Sequence, residues 1–355
     1  MSNETCLDIN HELSRRSDDL TLHSITVVIF ALFYTTIIIV GILGNLCVIL
    51  AISRTRSLQI VPNFFIFALS CSDLMVCCTS ATITPITAFK KIWIFGATLC
   101  SVAPFIAGTS LCFSTFTLTA ISIDRFFLIY FPTRSLLTKA RAVVVIAVIC
   151  ISAMSLSAPI MLKQSLRSIR NFCGKFCIEE WNGDENGRRV YGSVMVGVQF
   201  AVPLIIIIFC YTAISVKLGQ QSAALKRKQR TNRMLIAMVV AFSTSWFSSV
   251  LFNVLRDYNR LPNWIIKQEY FFGIGTHCIA MTSTVWNPLL YALMNPQLRA
   301  AFVALIPQHL KNKNKSRRLS KMSTVPLNRD SCGKNKSGGK MTETVIAVTT
   351  GKRLL

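Results

Sequence analysis

Residues 24–53 read SITVVIFALFYTTIIIVGILGNLCVILAIS, thirty positions without an Asp, Glu, Lys or Arg. That run exceeds the roughly 20 residues a helix needs to cross the hydrocarbon core of a bilayer. The pattern recurs along the chain. Windows 92–123, 142–162, 190–216 and 234–255 are equally free of these charges, 60–89 holds only Asp73, and 270–298 holds only His277. With 52% of 355 residues hydrophobic and 15% charged, a single soluble domain is excluded. The expected fold class is an all-α membrane protein, a seven-transmembrane helix bundle over 24–295. An extracellular N-terminus (1–23) precedes it; an amphipathic membrane-surface helix (296–310) and a disordered cytoplasmic tail (311–355) follow.

The formal net charge of +23 would suit nucleic-acid binding only on a soluble basic face, and here the bases sit between spans. With the N-terminus outside, 25 of the 38 Lys and Arg fall inside and eleven of the fifteen acids outside, the distribution expected of a membrane protein in that orientation. The first 23 residues lack a basic stretch leading into a short apolar core, so the first span is expected to act as the targeting signal. Asn3-Glu4-Thr5 then becomes a glycosylation sequon, whereas Asn314 and Asn335 fall on the inner side.

Of 13 cysteines, only Cys6, Cys100, Cys173 and Cys177 lie where disulfides persist. Four cysteines allow three pairings, and the residues alone do not select Cys100 with Cys177 and Cys6 with Cys173. The charge-dense segment 163–189 reads as a lid or hairpin. After the seventh span, Pro296 suits a helix start, and Leu298, Ala301, Phe302 and Leu305 share one face, as an interfacial helix needs. Beyond Lys311 the chain is rich in Lys, Ser, Thr and Gly and cannot form a core. Ser316, Ser320, Ser323 and Thr324 are candidate phosphorylation sites there, or the basic tail simply lies against anionic lipid.

Asp73, alone in its span, should face the bundle interior. Helix period lets Asn45, Ser114, Ser283, Thr284 and Asn287 converge on it, either as a buried hydrogen-bond knot or as a sodium or proton site. Asp124-Arg125 closes the third span, and Asn287-Pro288-Leu289-Leu290-Tyr291 places a helix breaker in the seventh, with an amide to re-satisfy freed backbone.

Taken together, Gly44-Asn45, Asp73, Cys100, Asp124-Arg125-Phe126, Pro203, Tyr211, Phe242, Trp246 and Asn287 to Tyr291 resemble the rhodopsin-like G-protein-coupled receptors over about residues 24–305. The resemblance implies an outward-opening ligand pocket, a transmission layer of Trp246 and Phe242, and a switch of Asp124, Arg125, Tyr211, Pro288 and Tyr291 facing a G protein. Three positions depart from the pattern: span four has no tryptophan, Phe126 replaces tyrosine, and Ser248 stands at the usual kink proline of span six.

Ala107 offers no carboxylate for an amine, no lysine lies mid-span in the seventh window for retinal, and the spans lack a metalloprotease or nucleophile-elbow motif. An enzyme is therefore not expected. A transporter lacks its inverted repeat and paired broken helices. Trp246, Asn253 and Asp257 share a face at i, i+7 and i+11. Thr84 shares that of Asp73, and Glu179, Gln199 and His277 add acid, amide and imidazole. Such groups suit a ligand with a guanidinium and amides; Asn253, Gln199 and His277 could instead be interhelical partners, and Asp257 a surface pair.

Thr84, Trp93-Ile94-Phe95-Gly96, Cys177-Ile178-Glu179-Glu180-Trp181, Gln199, Asn253, Asp257 and Thr276 to Met281 are similar to the neuropeptide Y/F-type branch. That likeness implies an amidated Arg-Phe or Arg-Tyr peptide with its arginine on Asp257, a Cys100–Cys177 bridge, coupling to the inhibitory class of heterotrimeric G proteins, and arrestin and receptor kinases at the tail. Ala107 departs from the glutamine usual in that branch. The remaining alternative is a non-peptide chemical cue; no cofactor is expected beyond sodium at Asp73.

Overall fold

The computed structural model describes residues 6–16, 19–131, 137–219 and 226–305. The sequon at Asn3 and the tail beyond Leu305 lie outside the described residues. Span one is Ser24–Arg54, span two Val61–Lys90, span three Gly96–Tyr130, span four Lys139–Lys163, span five Glu185–Lys217 and span six Asn232–Asp257. These six are long and apolar enough to cross a membrane. The seventh is divided at Thr282 into Glu269–Met281 and Ser283–Met294, 13 and 12 residues, so neither half alone reaches a bilayer's width although together they do.

Span three packs against spans two, four and five, and span seven against spans one, two and six. Because lipid tails are as apolar as leucine, close backbone approach and polar bonds must supply much of the adhesion. Span one shows both. A Cβ on Gly41 would stand 2.7 Å from Cys77 Sγ, and one on Gly44 2.8 Å from Pro288 Cγ, so these two glycines let spans two and seven close in. Pro288 has no N–H for the carbonyl four residues earlier, Thr284. Asn45 Nδ2 donates to that carbonyl at 2.9 Å. The freed backbone is thus satisfied from span one and not, as the sequence suggested, by Asn287.

Span two is interrupted at Thr79 and carries Pro85 inside its second segment, Ser80–Lys90. Span five contains a π-helical turn, Gly197–Ala201, just before Pro203, where the missing proline N–H loosens the ladder. Span six runs as one helix, Lys226–Asp257, as its Ser248 permits. The helix after span seven, Pro296–Leu305, begins at Pro296; Asn295 Oδ1 caps it by accepting from the amides of Gln297 and Leu298. Leu298 and Ala301 are buried, and Phe302 and Leu305 pack on the same cluster, the face expected from the sequence.

The segment after span four is a hairpin. Its strands β1 (Gln164–Arg167) and β2 (Phe176–Glu179) are antiparallel, with Ser165 opposite Ile178. Both disulfides form, Cys6–Cys173 and Cys100–Cys177, which resolves the pairing the sequence left open.

Candidate functional site

Under the hairpin lies a cavity of about 630 Å³. Span six contributes Ser249, Phe252, Asn253 and Arg256, spaced i, i+3, i+4 and i+7, the stripe one helical face presents. Span two contributes Thr84, Thr87 and Ala88, and span seven His277, Ile274, Gly273, Tyr270 and Glu269. Gln164, Phe176, Cys177 and Ile178 form the lid side. The Cys100–Cys177 bridge places that side, and Trp93 N, donating to Lys175 O at 2.7 Å, ties it to the first loop.

Of the expected ligand residues, Thr84, Asn253 and His277 come together on this wall. His277 uses both ring nitrogens: Nδ1 meets Tyr34 OH at 2.8 Å and Nε2 meets Ser80 Oγ at 3.1 Å. Its ring orientation is therefore fixed before any ligand arrives. Gln199, turned inward by the π-helical turn, is buried and donates to Cys112 Sγ at 2.7 Å; it joins spans five and three instead of lining the cavity. Trp246 lies deeper, donating through Nε1 to Ser283 Oγ at 3.1 Å, with Phe242 6.3 Å away and Phe200 6.4 Å beyond.

Asp257 is off the wall as well. It terminates span six, where Arg188 of span five lies 3.4 Å from its carboxylate and Arg189 Nε donates to its carbonyl at 3.0 Å. Arg188 draws the carboxylate toward span five, off the stripe that Asn253 and Arg256 continue, and Arg189 holds the backbone at the same place. Glu179 accepts from Trp181 Nε1 at 2.5 Å. Its neighbour Glu180 accepts from Ser165 Oγ at 2.7 Å and Arg167 Nη2 at 2.9 Å, and these two donors hold its carboxyl below the ordinary carboxylate range.

The polar set around Asp73 is narrower than expected. Asn287 Nδ2 donates to Asp73 Oδ2 at 2.9 Å. Asn45 is occupied with Gly41 O and Thr284 O, Thr284 Oγ1 with Met281 O, and Ser283 with Trp246; Ser114 is buried without a bond to Asp73. Backbone carbonyls claim Asn45 and Thr284, and the Trp246 indole claims Ser283, groups that period alone aimed at the carboxylate.

At the far end from the lid, Arg125 lies within Coulombic reach of Asp124 and Tyr211, and its Nε has no hydrogen-bond partner. Tyr211 and Tyr291 belong to the same buried apolar cluster as Phe242. Phe126 stacks on Tyr130, centroids 4.6 Å apart, and lies 5.9 Å from Phe209, an apolar contact that a phenol there would not need.

Several residues at the wall or behind it had no signal in the sequence. Glu269, Arg256 and Lys91 sit near other charges at span ends, and Tyr34 and Ser80, which hold His277 from behind, are polar groups beside threonines within otherwise apolar spans. Only the fold shows which of them meet.

Comparison with known proteins agrees with this arrangement. Residues 44–291 match the model of the 7 transmembrane receptor (rhodopsin family). The chain is 31% identical over 323 residues to Neuropeptide receptor 3 of Caenorhabditis elegans, covering 84% of this chain and 85% of that one. It is 31% identical over 291 residues to Neuropeptide Y receptor type 2 of Homo sapiens, covering 78% and 76%. With Neuropeptide F receptor of Drosophila melanogaster it shares 30% identity over 300 residues, 77% of this chain and 61% of that one. A seven-helix bundle, a lidded cavity at one end and a tyrosine and arginine cluster at the other thus have one explanation: the chain belongs to the rhodopsin family of seven-transmembrane receptors, signalling proteins and not enzymes.

Proposed function

We propose that this chain is a plasma-membrane receptor for an amidated neuropeptide, with the lid end outside and the helix Pro296–Leu305 inside. The observation that carries this is the preformed cavity under the hairpin, which presents hydroxyl, amide and imidazole groups with one acid in its wall, Glu269, while a second, Asp257, follows directly on the wall residue Arg256. A peptide's terminal amide and backbone find partners in Asn253 and Thr84. Its arginine goes to Asp257 by displacing Arg188, whose single 3.4 Å contact is looser than the paired bonds a guanidinium can make with a carboxylate. Neuropeptide recognition in the relatives' names supports this class of ligand.

Binding between spans two, six and seven shifts the population toward an arrangement in which span six moves at the far end, where Arg125 and Tyr211 face a heterotrimeric G protein of the inhibitory class. Arrestin and receptor kinases would act on the tail. Asn45 Oδ1 and Ser70 Oγ are buried without a hydrogen-bond partner, and with the Asp73 carboxylate they are hard-oxygen donors of the kind that would hold a sodium ion; such an ion would favour the resting packing of spans one, two and seven.

The test is cyclic-AMP or calcium signalling in cells expressing the full chain, challenged with Arg-Phe-amide and Arg-Tyr-amide peptides, their free acids and biogenic amines. Responses to the amides are expected to vanish with the free acids. Asp257→Ala should lose about 1.5–3 kcal/mol, the worth of a charged hydrogen bond, and Arg188→Ala should raise potency for arginine peptides by freeing the carboxylate. A receptor that reaches the surface and ignores the whole panel sinks the peptide reading. Loss of potency in Arg188→Ala sinks the exchange.

A further inference from the structure

Lys91 ends span two in a left-handed backbone conformation, φ 56°. A lysine at such a place ordinarily extends its stem and leaves its ammonium in water. Here the side chain is 0% exposed, and yet the residue lines the cavity. Its Nζ lies 3.3 Å from Asp19 Oδ2, donates to Thr21 Oγ1 at 2.8 Å and sits 5.0 Å above the ring of Tyr270, another wall residue.

Asp19 is equally committed. Its other oxygen accepts from Thr21 N at 2.9 Å and Thr21 Oγ1 at 2.8 Å, and it is 3% exposed. The next amide, Leu20 N, donates to Gln268 Oε1 at 3.0 Å. The carboxylate thus fastens the chain entering span one to the end of span two, and the adjoining Leu20 amide ties it to the start of span seven. The other end of the same segment is fixed to the lid: Cys6 to Cys173 by a disulfide, Leu7 N to Asn171 O at 2.8 Å, and Cys173 N to Leu7 O at 3.0 Å.

A buried ammonium without its counter-ion is strongly unfavourable, and its field in a low-dielectric wall is poorly screened. The cavity's remaining wall charges are Arg256 and Glu269. With Asp19 in place, Lys91 adds little net charge to them. Without it, the ammonium would repel a cationic ligand and compete for Glu269, the neighbour of the ring it already covers.

We propose that Asp19 is a specificity-determining residue of the ligand cavity: buried against Lys91, it cancels an ammonium that would otherwise oppose a cationic peptide, and it anchors the amino-terminal segment as the outer support of the wall. The charge part of this rests on the peptide reading given above; the anchoring part does not.

The experiment compares a peptide ending in Arg-Phe-amide with its citrulline analogue, which keeps the shape of arginine and lacks its charge, on the full-length receptor with surface expression measured in parallel. Asp19→Asn is expected to weaken the arginine peptide about tenfold or more, the scale of a like-charge juxtaposition, and to leave the citrulline peptide nearly unchanged. Lys91→Met, which leaves the carboxylate facing the wall, moves the preference the other way, and the double variant returns it to the wild-type ratio. Equal weakening of both peptides by Asp19→Asn, or of neither, overturns the charge role. Should Asp19→Asn stay inside the cell, the opposite-sign shift in Lys91→Met decides alone. A wild-type receptor that answers no peptide overturns the charge role with the peptide reading. The anchor is then judged by hydrogen exchange of purified receptor without peptide: amides of Leu20 and Thr21 should exchange faster in Asp19→Asn, and unchanged exchange overturns the anchoring.

Discussion

At the lid end of the bundle, two disulfides, the β1–β2 hairpin and the buried Asp19–Lys91 pair fix the walls of a cavity before anything occupies it. At the far end there is no such bracing among the described residues. Leu69, Ile214, Met238 and Tyr291 pack as one apolar cluster, while Arg125 Nε and Tyr291 OH sit buried with no hydrogen-bond partner. Unsatisfied buried polar groups are expensive, on the order of 1–3 kcal/mol each. Apolar contact is non-directional and re-forms readily in another arrangement. A stiff recognition site at one end and a poorly satisfied, repackable cluster at the other is what a two-state transmitter requires, since a second arrangement that gives those groups partners lies close in energy.

The largest effect expected from breaking this contrast is at the lid. Cys100–Cys177 closes a loop of sequence separation 77, and Cys100→Ser should cost about 2–4 kcal/mol, seen as loss of surface receptor and a lower unfolding temperature in detergent. If the variant melts where wild type does, the lid end owes its stiffness to the hairpin and the Asp19–Lys91 pair instead.

A smaller effect, of opposite sign, is expected at the far end. Tyr291→Phe keeps the ring in its cluster and removes the unpartnered hydroxyl, which should raise the resting receptor's stability by about 1 kcal/mol while agonist-stimulated signalling falls, because the partner gained on activation is lost. Thermal unfolding and G-protein activation measured on one preparation separate the two. A destabilised variant would mean that the hydroxyl is already bonded at rest, and the contrast between the ends would lose its main support.

The sequence made the two ends unequally legible, and for a physical reason. Spans are announced by the absence of charge, which lipid enforces residue by residue, so all seven could be placed, as could the face of the helix after Pro296. Thr84, Asn253 and His277 reached one wall because helix period carries that information over a few turns. Asp257 shares Asn253's face by the same arithmetic, yet its carboxylate is turned to Arg188 of another span, which no local period encodes. Gln199 was rotated inward by an added residue in the π-helical turn, for which Pro203 was the only hint. Asn287 reached Asp73 as helix period implied, whereas Asn45 took over the backbone repair expected of Asn287, because the vacancy at Thr284 faces span one. Asp19 and Lys91 were invisible, two charges among many in loop sequence, whose meeting depends on where three elements end.

The smallest effect tests whether the lid's stiffness extends to its exposed edge. Glu180 is partly exposed, and Ser165 and Arg167 hold its carboxyl below the ordinary range. A group whose folded value is depressed contributes stability that is fully present above the unfolded value, near 4, and is lost as pH falls through the lowered folded one. Hydrogen exchange across Gln164–Arg167 and Phe176–Glu179 should therefore quicken in acid relative to the span helices, and Glu180→Gln should quicken it at neutral pH and remove the acid dependence. Exposed ion pairs contribute little, so the change should stay within the hairpin and leave the Cys100–Cys177 tether unaffected. If acid also loosened the amides of Leu20 and Thr21, the hairpin and the amino-terminal anchor would have to form one cooperative unit, and the lid end would be a single rigid body instead of two independently fastened walls.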